Sequence, residues 1–292
     1  MKLIFGANGR IGRRVVTGLT ELGESVRAFV RNESTARQHF DAQVEIACGD
    51  LEDRASIAAA MADVTAVLLC SPVAPNQVAL HNAVIDAACQ AGQPYVVKIS
   101  GLATEPGSFV DSGRWHAETE TYLQQSGLAF TCLHPYFFMQ NLDFQLATAQ
   151  QEGVLKSAVA HAAIAMVDVR DIAAVAVKLL CNPDLAAGQT LPLTCAAALT
   201  YADMAQQMSE MFDRPVEFQT QSLAEVEANL RQAGQADWHV QLLMQFNKAF
   251  QQGYGAHPHP AVADLLGRAP LSFVDYLQSV TRSTEGANPF PS

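Results

Sequence analysis

Short, all-apolar segments alternate with helix-period segments through the first half of the chain, and three glycines stand between the first strand and the first helix. Together these features predict an α/β protein built on a Rossmann-type, doubly wound parallel sheet with helices on both faces. A third observation divides the 292 residues. After about Gln150 the alternation gives way to mostly helical patterns. This predicts a sheet domain over 1–150, to which 167–194 returns, and a smaller, mostly helical C-terminal domain over 151–292.

Six apolar runs read as buried strands: Leu3–Phe5, Ser25–Val30, Val44–Ala47, Ala66–Leu69, Tyr95–Ile99 and Phe130–Leu133. Ile11, Val15, Leu19 and Leu22 form a helical stripe after the first, and Val78, His81, Val84, Ile85 and Ala88 form another before the fifth. Ala163–Val169 predicts a strand leading into a helix over Asp171–Leu180, and Gln189–Thr194 a further strand. Thr200 with Asp203 three residues on predicts a capped helix that ends before Pro215. Helical patterns resume over Leu223–Gln251, followed by a Gly253–Pro260 loop, a helix near Phe273–Val280 and a frayed tail over Ser283–Ser292.

Composition narrows the function. A net charge of −11 with no basic run excludes a duplex nucleic-acid binder, which needs a positive footprint. No apolar stretch reaches the roughly 20 residues that span a bilayer, and no membrane partner is expected. The glycine motif follows Met1 so closely that no signal peptide is expected. Six scattered cysteines (Cys48, Cys70, Cys89, Cys132, Cys181, Cys195) form neither a disulfide framework nor a thiolate metal site, and most read as small core residues. That usage predicts a reducing, cytoplasmic location. His257-Pro258-His259-Pro260 lacks a cysteine or carboxylate at ligand spacing and reads as a rigid turn, so no metal is expected.

The chemistry-bearing motif is Gly6-Ala7-Asn8-Gly9-Arg10-Ile11-Gly12. Glycines at a strand-to-helix junction permit a tight turn, close approach of a pyrophosphate, and tight helix–strand packing, while the helix N-terminus faces the anion. The spacing G-x-x-G-x-x-G differs from the usual G-x-G-x-x-G by placing Asn8 at the intervening position. Where an NAD binder carries an acidic residue after the second strand, this chain has Arg31, whose fork suits a 2′-phosphate, and Arg10 offers a second charge. NADPH/NADP is therefore expected over NADH. Asp50, after the third strand, either meets the adenine edge or caps the next helix.

These motifs, with His116-Ala117-Glu118-Thr119-Glu120, Leu133-His134-Pro135-Tyr136-Phe137-Phe138-Met139-Gln140-Asn141 and Val167-Asp168-Val169-Arg170-Asp171, resemble the atypical short-chain dehydrogenase/reductases. Within them the chain is similar to the NmrA-like group, of the NADPH-dependent quinone-reductase and triphenylmethane-dye-reductase type. The resemblance covers nearly the whole chain and is loosest in the C-terminal third. It implies cofactor contacts at Gly6, Asn8, Gly9, Arg10, Ile11, Gly12, Arg31, Asp50, Leu51, Cys70, Ser71, Pro72, Ser100, Pro135, Tyr136 and Phe137. It implies substrate contacts at Gly101, Phe138 and Asn141, with His116 as candidate catalytic residue on a helical face shared with Thr119 and Tyr122. The chain departs from the wider family at two points. None of its six tyrosines has a lysine four residues later, and Leu133-His134-Pro135 carries histidine where many relatives have arginine.

Two functions follow as expectations. The first is an NADPH-dependent reductase of a small aromatic, quinone-like or conjugated acceptor, working without Tyr-x-x-x-Lys. The alternative is a non-catalytic NADP(H)-binding redox sensor that regulates a protein partner. His116 and the aromatic residues at 136–138 favour the enzyme.

Overall fold

A computed structural model describes residues Met1–Thr284, so the expected frayed tail lies largely outside the described residues. The elements in chain order are β1 (Lys2–Ile4), α1 (Arg10–Glu21), β2 (Val26–Val30), α2 (Glu33–Ala36), β3 (Glu45–Cys48), α3 (Arg54–Ala60), β4 (Ala66–Leu69) and α4 (Gln77–Gln90). There follow β5 (Tyr95–Ile99), α5 (Asp111–Gln125), β6 (Phe130–Pro135), α6 (Asp143–Glu152), β7 (Val154–Ser157), α7 (Val169–Cys181) and β8 (Thr190–Leu193). The last are α8 (Tyr201–Phe212), β9 (Glu217–Thr220), α9 (Leu223–Gln232), α10 (Asp237–Gln251), α11 (Ala261–Leu266) and α12 (Phe273–Thr284).

The chain forms two compact units. The first comprises Met1–Pro135, Val169–Leu193 and Asp264–Gly267. Its sheet is wholly parallel, in the order β3-β2-β1-β4-β5-β6-β8. The order reverses between β1 and β4, which is the switch point where such sheets open a crevice at their carboxyl edge. Leu3, Val67, Leu69, Val96 and Cys132 share one sheet face with Ile57, Val84, Ile85 and Leu123 of α3, α4 and α5. Because strand side chains alternate, Lys98 projects from the same face as Val96. On α1, Gly18 approaches α7 so closely that an added Cβ would stand 3.1 Å from Val177. Pro192, which has no N–H to give, is confined to the edge strand β8.

The second unit comprises Tyr136–Asp168, Thr194–Ala263 and the residues after Gly267. Besides helices it holds a parallel pair, β7 with β9, that sequence patterning does not announce. Thr200 caps α8 in a reciprocal box with Asp203, as its spacing predicts. Ala163–Val169 is not a strand. Its backbone groups are met one at a time by separated segments: Ile164 pairs with Leu199, Ala165 donates to Gly255, Met166 accepts from Cys195, and Val167 pairs with Phe138. An apolar run with four different partners builds no ladder.

Two further expectations are corrected. Asp53, not Asp50, caps α3, and Asp50 instead closes a local turn by accepting from the Glu52 N–H. Of the six cysteines, none in a disulfide, only Cys132 and Cys195 are buried.

Gly12 tests the packing. Alanine is favoured over glycine inside a helix by roughly 1 kcal/mol. Here an added Cβ would stand 2.1 Å from the Gly6 carbonyl oxygen, a backbone atom that cannot swing away. Gly12→Ala should therefore destabilise the protein by about 1–3 kcal/mol in thermal unfolding without nucleotide. Gly107→Ala, where a Cβ meets nothing within 4 Å, should leave stability unchanged or raise it by up to about 1 kcal/mol.

Candidate active site

Parallel strands deliver their following residues to one edge. β1 leads into Gly6, β4 into Cys70, Ser71 and Pro72, and β5 into Ser100 and Gly101. Gly6 takes a left-handed φ of 71°, and a Cβ on it would lie 2.5 Å from the Cys70 carbonyl oxygen, so the glycine loop and the end of β4 touch. Gly9 is the N-cap of α1 and offers no side-chain cap, leaving the first helical N–H groups to an external acceptor. Asn8 Oδ1 is buried and finds no hydrogen-bond partner within the protein. A glycine cradle, an uncapped helix start and an orphaned buried carbonyl together fit a bound dinucleotide phosphate. Ile11 directs its side chain into the core.

Arg31 is exposed directly after β2, and no hydrogen bond or ion pair is recorded for it among the described residues. The Gly49 N–H donates to the Val30 carbonyl, which brings the Asp50–Leu51 turn beside Arg31.

Beneath the edge lies a buried polar network. Lys98 is fully buried, and its Nζ donates to Ser100 Oγ at 2.6 Å and to His116 Nδ1 at 3.1 Å. Ser100 in turn donates to Glu120 Oε1, which stands 3.9 Å from Lys98 Nζ. His134 Nε2 lies 2.8 Å from the same carboxylate oxygen. This contact gives the family departure at 134 a physical account: the imidazole partners a buried carboxylate. From α4, Gln77 Nε2 lies 3.0 Å from His116 Nδ1, and the His81 ring packs 6.4 Å from that of His116. Gln77 Oε1 and His81 Nδ1 are buried with no partner within the protein.

The electrostatics follow from burial. Burial pushes the Lys98 ammonium down to about 8, opposed by the nearby Glu120 carboxylate and the Cys132 and Cys70 thiols. Burial, then the charge of Lys98, then His81 and His134, hold His116 well below the usual histidine value. His116 is thus a neutral imidazole at pH 7. For Glu120, burial alone would raise the carboxyl. The hydrogen bond and charge of His134, the charge of Lys98 and the hydrogen bond of Ser100 outweigh it and lower the carboxyl below its ordinary value.

His116, Ser100 and Gly101 thus come together, with the His116 ring edge facing Gly101. His116 shares its inward face with Ser112, Thr119 and Glu120. Tyr122 instead points outward and donates to Asp86. Tyr136, Phe137, Phe138 and Asn141 belong to the second unit. There Phe137 packs edge-on against Phe250 at 5.5 Å, and the exposed Asn141 donates its N–H to the Phe138 carbonyl. Lys98 and Gln77 were not singled out by their spacing, and His81 was read only as part of a helical stripe. Lys98 did leave one signal, a lone charge inside an apolar strand. Among the described residues no group of three or more histidine, cysteine or acidic side chains could hold a metal, and no helix is long and apolar enough to cross a membrane.

The Glu120 carboxyl has a lower folded than unfolded value, so its stabilising contribution is complete above the unfolded value, about 4.3, and is lost as pH falls through the folded one. Glu120→Gln removes that contribution. The gap in unfolding free energy between parent and variant should be widest near neutral pH and should narrow below about pH 4, read by urea unfolding at stepped pH.

Comparison with known proteins agrees with this geometry. Residues 6–183 match the model of the NAD(P)H-binding family. The chain is 33% identical over 270 residues, 92% of each chain, to the NAD(P)H azoreductase of Xenophilus azovorans. It is 28% identical to quinone oxidoreductase 2 of Escherichia coli strain K12, over 94% of this chain and 96% of that one. The crystal structure of the Citrobacter sp. triphenylmethane reductase complexed with NADP(H) shares the fold with a TM-score of 0.86 at 21% identity, covering 96% of this chain and 99% of that chain. The chain belongs to the NAD(P)H-binding family and is an NAD(P)H-dependent reductase of the NmrA-like type.

Proposed function

We propose that the protein passes hydride from NADPH to a quinone-like or conjugated aromatic acceptor, without a Tyr-x-x-x-Lys pair. The observation that carries this reading is the neutral His116 beside Gly101, held from below by Lys98, at the carboxyl end of β5. A simple ketone needs a strong acid as it becomes an alkoxide. A quinone, an azo compound or a triphenylmethane dye spreads the added charge over a conjugated system, so a neutral hydrogen-bond donor suffices. The similarity to an azoreductase and to a quinone oxidoreductase supports the same acceptor class.

Bound NADPH would supply the hydride. The chain's own residues hold and orient it: Gly6, Gly9 and Gly12 with Asn8 and Arg10 at the phosphates, Arg31 at the 2′-phosphate beside Asp50 and Leu51, and Cys70, Ser71, Pro72 and Ser100 along the crevice. Pro135, Tyr136 and Phe137 complete the proposed cofactor contacts, and Gly101, Phe138 and Asn141 those of the acceptor. His116 donates a hydrogen bond to the acceptor atom that gains charge.

NADPH should bind more tightly than NADH, and Arg31→Ala should weaken NADPH by about 10- to 150-fold through loss of a charge-assisted contact worth about 1.5–3 kcal/mol. Equal affinities in the parent, read by fluorescence titration, would remove Arg31 from the site. Gly9 has a φ of −78°, open to any residue, and an added Cβ meets only the Gly6 carbonyl at 3.1 Å. Gly9→Val should therefore fold yet lose nucleotide binding. With a quinone or a triphenylmethane dye, NADPH oxidation and acceptor reduction should run one to one, and an azo bond cleaved to two amines should consume two NADPH. Nucleotide binding without turnover of any such acceptor would leave the regulatory alternative.

A further inference from the structure

We propose that Lys98 sets which nitrogen of His116 carries its proton, Nε2 on the Gly101 side, and replaces that proton when it leaves. This rests on the reductase reading above and assigns a role to a lysine outside every expected site residue.

The argument begins with valence. A lysine ammonium has three protons and no lone pair, so its 3.1 Å contact with His116 can run only from Nζ to Nδ1. Nδ1 accepts, and the neutral ring carries its proton on Nε2. Gln77 agrees: its amide nitrogen lies 3.0 Å from Nδ1 and 3.4 Å from Nε2, so the shorter contact goes to the same accepting nitrogen. Were the amide reversed, Oε1 would demand a proton on Nδ1 facing the ammonium. Ser100 cannot compete for the lysine's role, because its hydroxyl proton goes to Glu120 and its lone pair to Lys98. On the far edge the ring faces Gly101, which carries no side chain and where even a Cβ would stand 3.9 Å from Nε2.

Every element around the ring contributes ionisable groups. Cys70 follows β4, His81 lies on α4, Glu120 on α5, and Cys132 and His134 on β6. Burial pushes the Cys70 thiol up to about 11 and the Cys132 thiol up as well, so both stay uncharged near neutrality. Burial, with Lys98 adding to it, keeps His81 neutral. Lys98, with its ammonium at about 8, is then the buried cation poised near working pH.

The step balances as follows. The acceptor takes two electrons with the hydride from reduced nicotinamide, and its charged heteroatom takes the proton from Nε2. The Nε2–H bond breaks as an Nδ1–H bond forms with a proton from Lys98. The lysine is left as an amine and the ring as the other neutral tautomer, so the relay produces neither imidazolate nor imidazolium. A proton returned from solvent to Nε2 sends the Nδ1 proton back to the lysine amine, which resets both. Lys98 acts through His116 and is a positioning residue.

The test reads the ring directly. Protein labelled with ¹⁵N-histidine, with His116 assigned through His116→Gln, is followed by long-range ¹H–¹⁵N correlation from about pH 6 to 9, with and without NADPH. The expected pattern is protonated Nε2 and bare Nδ1 through neutral pH, changing in one step centred near 8. A protonated Nδ1 at pH 7, in either a neutral or a charged ring, would overturn the proposal. Lys98→Met should abolish the step near 8, lower kcat by roughly 10²–10⁴-fold, remove the matching fall of kcat at alkaline pH, and leave NADPH affinity unchanged. An unaltered tautomer and kcat profile in that variant would equally overturn it. If the variant does not fold, the parent titration still decides. Absence of turnover with all acceptors would count against the proposed function alone, because the tautomer is read without any acceptor.

Discussion

A buried positive charge needs partners, and the site is organised around meeting that need for Lys98. Removing an ammonium from water costs several kcal/mol unless its protons find acceptors. Here they are directed at a hydroxyl, an imidazole nitrogen and a carboxylate, drawn from the end of β5 and from two positions on α5. Each partner is itself held: Ser100 by Glu120, Glu120 by His134 from β6, and His116 by Gln77 from α4. The charge thus ties together β5, α5, β6 and α4 through one buried polar network. Burial first, and the charge of Lys98 after it, keep His116 neutral, because both act in the same direction on an imidazole.

A second constraint is steric and lies on the other side of the switch point. Gly6 and Gly12 have no room for a Cβ because the loop, α1 and the end of β4 meet backbone to backbone. That contact brings the uncapped start of α1 to the carboxyl edge of the sheet. The two constraints are independent. One shapes the proposed phosphate cradle, the other holds His116 at the proposed acceptor site, and the parallel order β1-β4-β5 sets them side by side on a single edge. Glu120 belongs to the buried-charge network and bears on His116 through Ser100 and Lys98.

Most of the sheet was legible before any coordinates. β4 and β5 begin and end where their apolar runs do, β2 and β3 differ from theirs by a residue, and β6 continues two residues further, to Pro135. Local patterning succeeds over β2, β4 and β5 because every residue of these strands is buried, so each is apolar but for Arg27 and Lys98. It fails over Ala163–Val169, which is equally apolar but whose backbone is divided among several partners, over β7, whose alternation of buried Leu155 and Ser157 with exposed Lys156 is too short to stand out, and over the mostly exposed β9. The reciprocal cap at Thr200 was legible because its whole mechanism lies within four residues.

By itself the sequence determined what depends on neighbours along the chain: the glycine cradle, the strand-to-helix junction behind it, the positive Arg31 where an acid would select another nucleotide, and the absence of the tyrosine–lysine pair. Only the tertiary structure decided the reacting end. Lys98 and His116 are eighteen residues apart on a strand and a helix, and Glu120 and His134 lie fourteen apart on either side of a turn. No spacing rule connects such pairs, because the distance between them is set by how α5 packs on β5 and β6. Whether a lone lysine in an apolar strand is an edge residue or a buried charge is likewise a matter of which helix covers it.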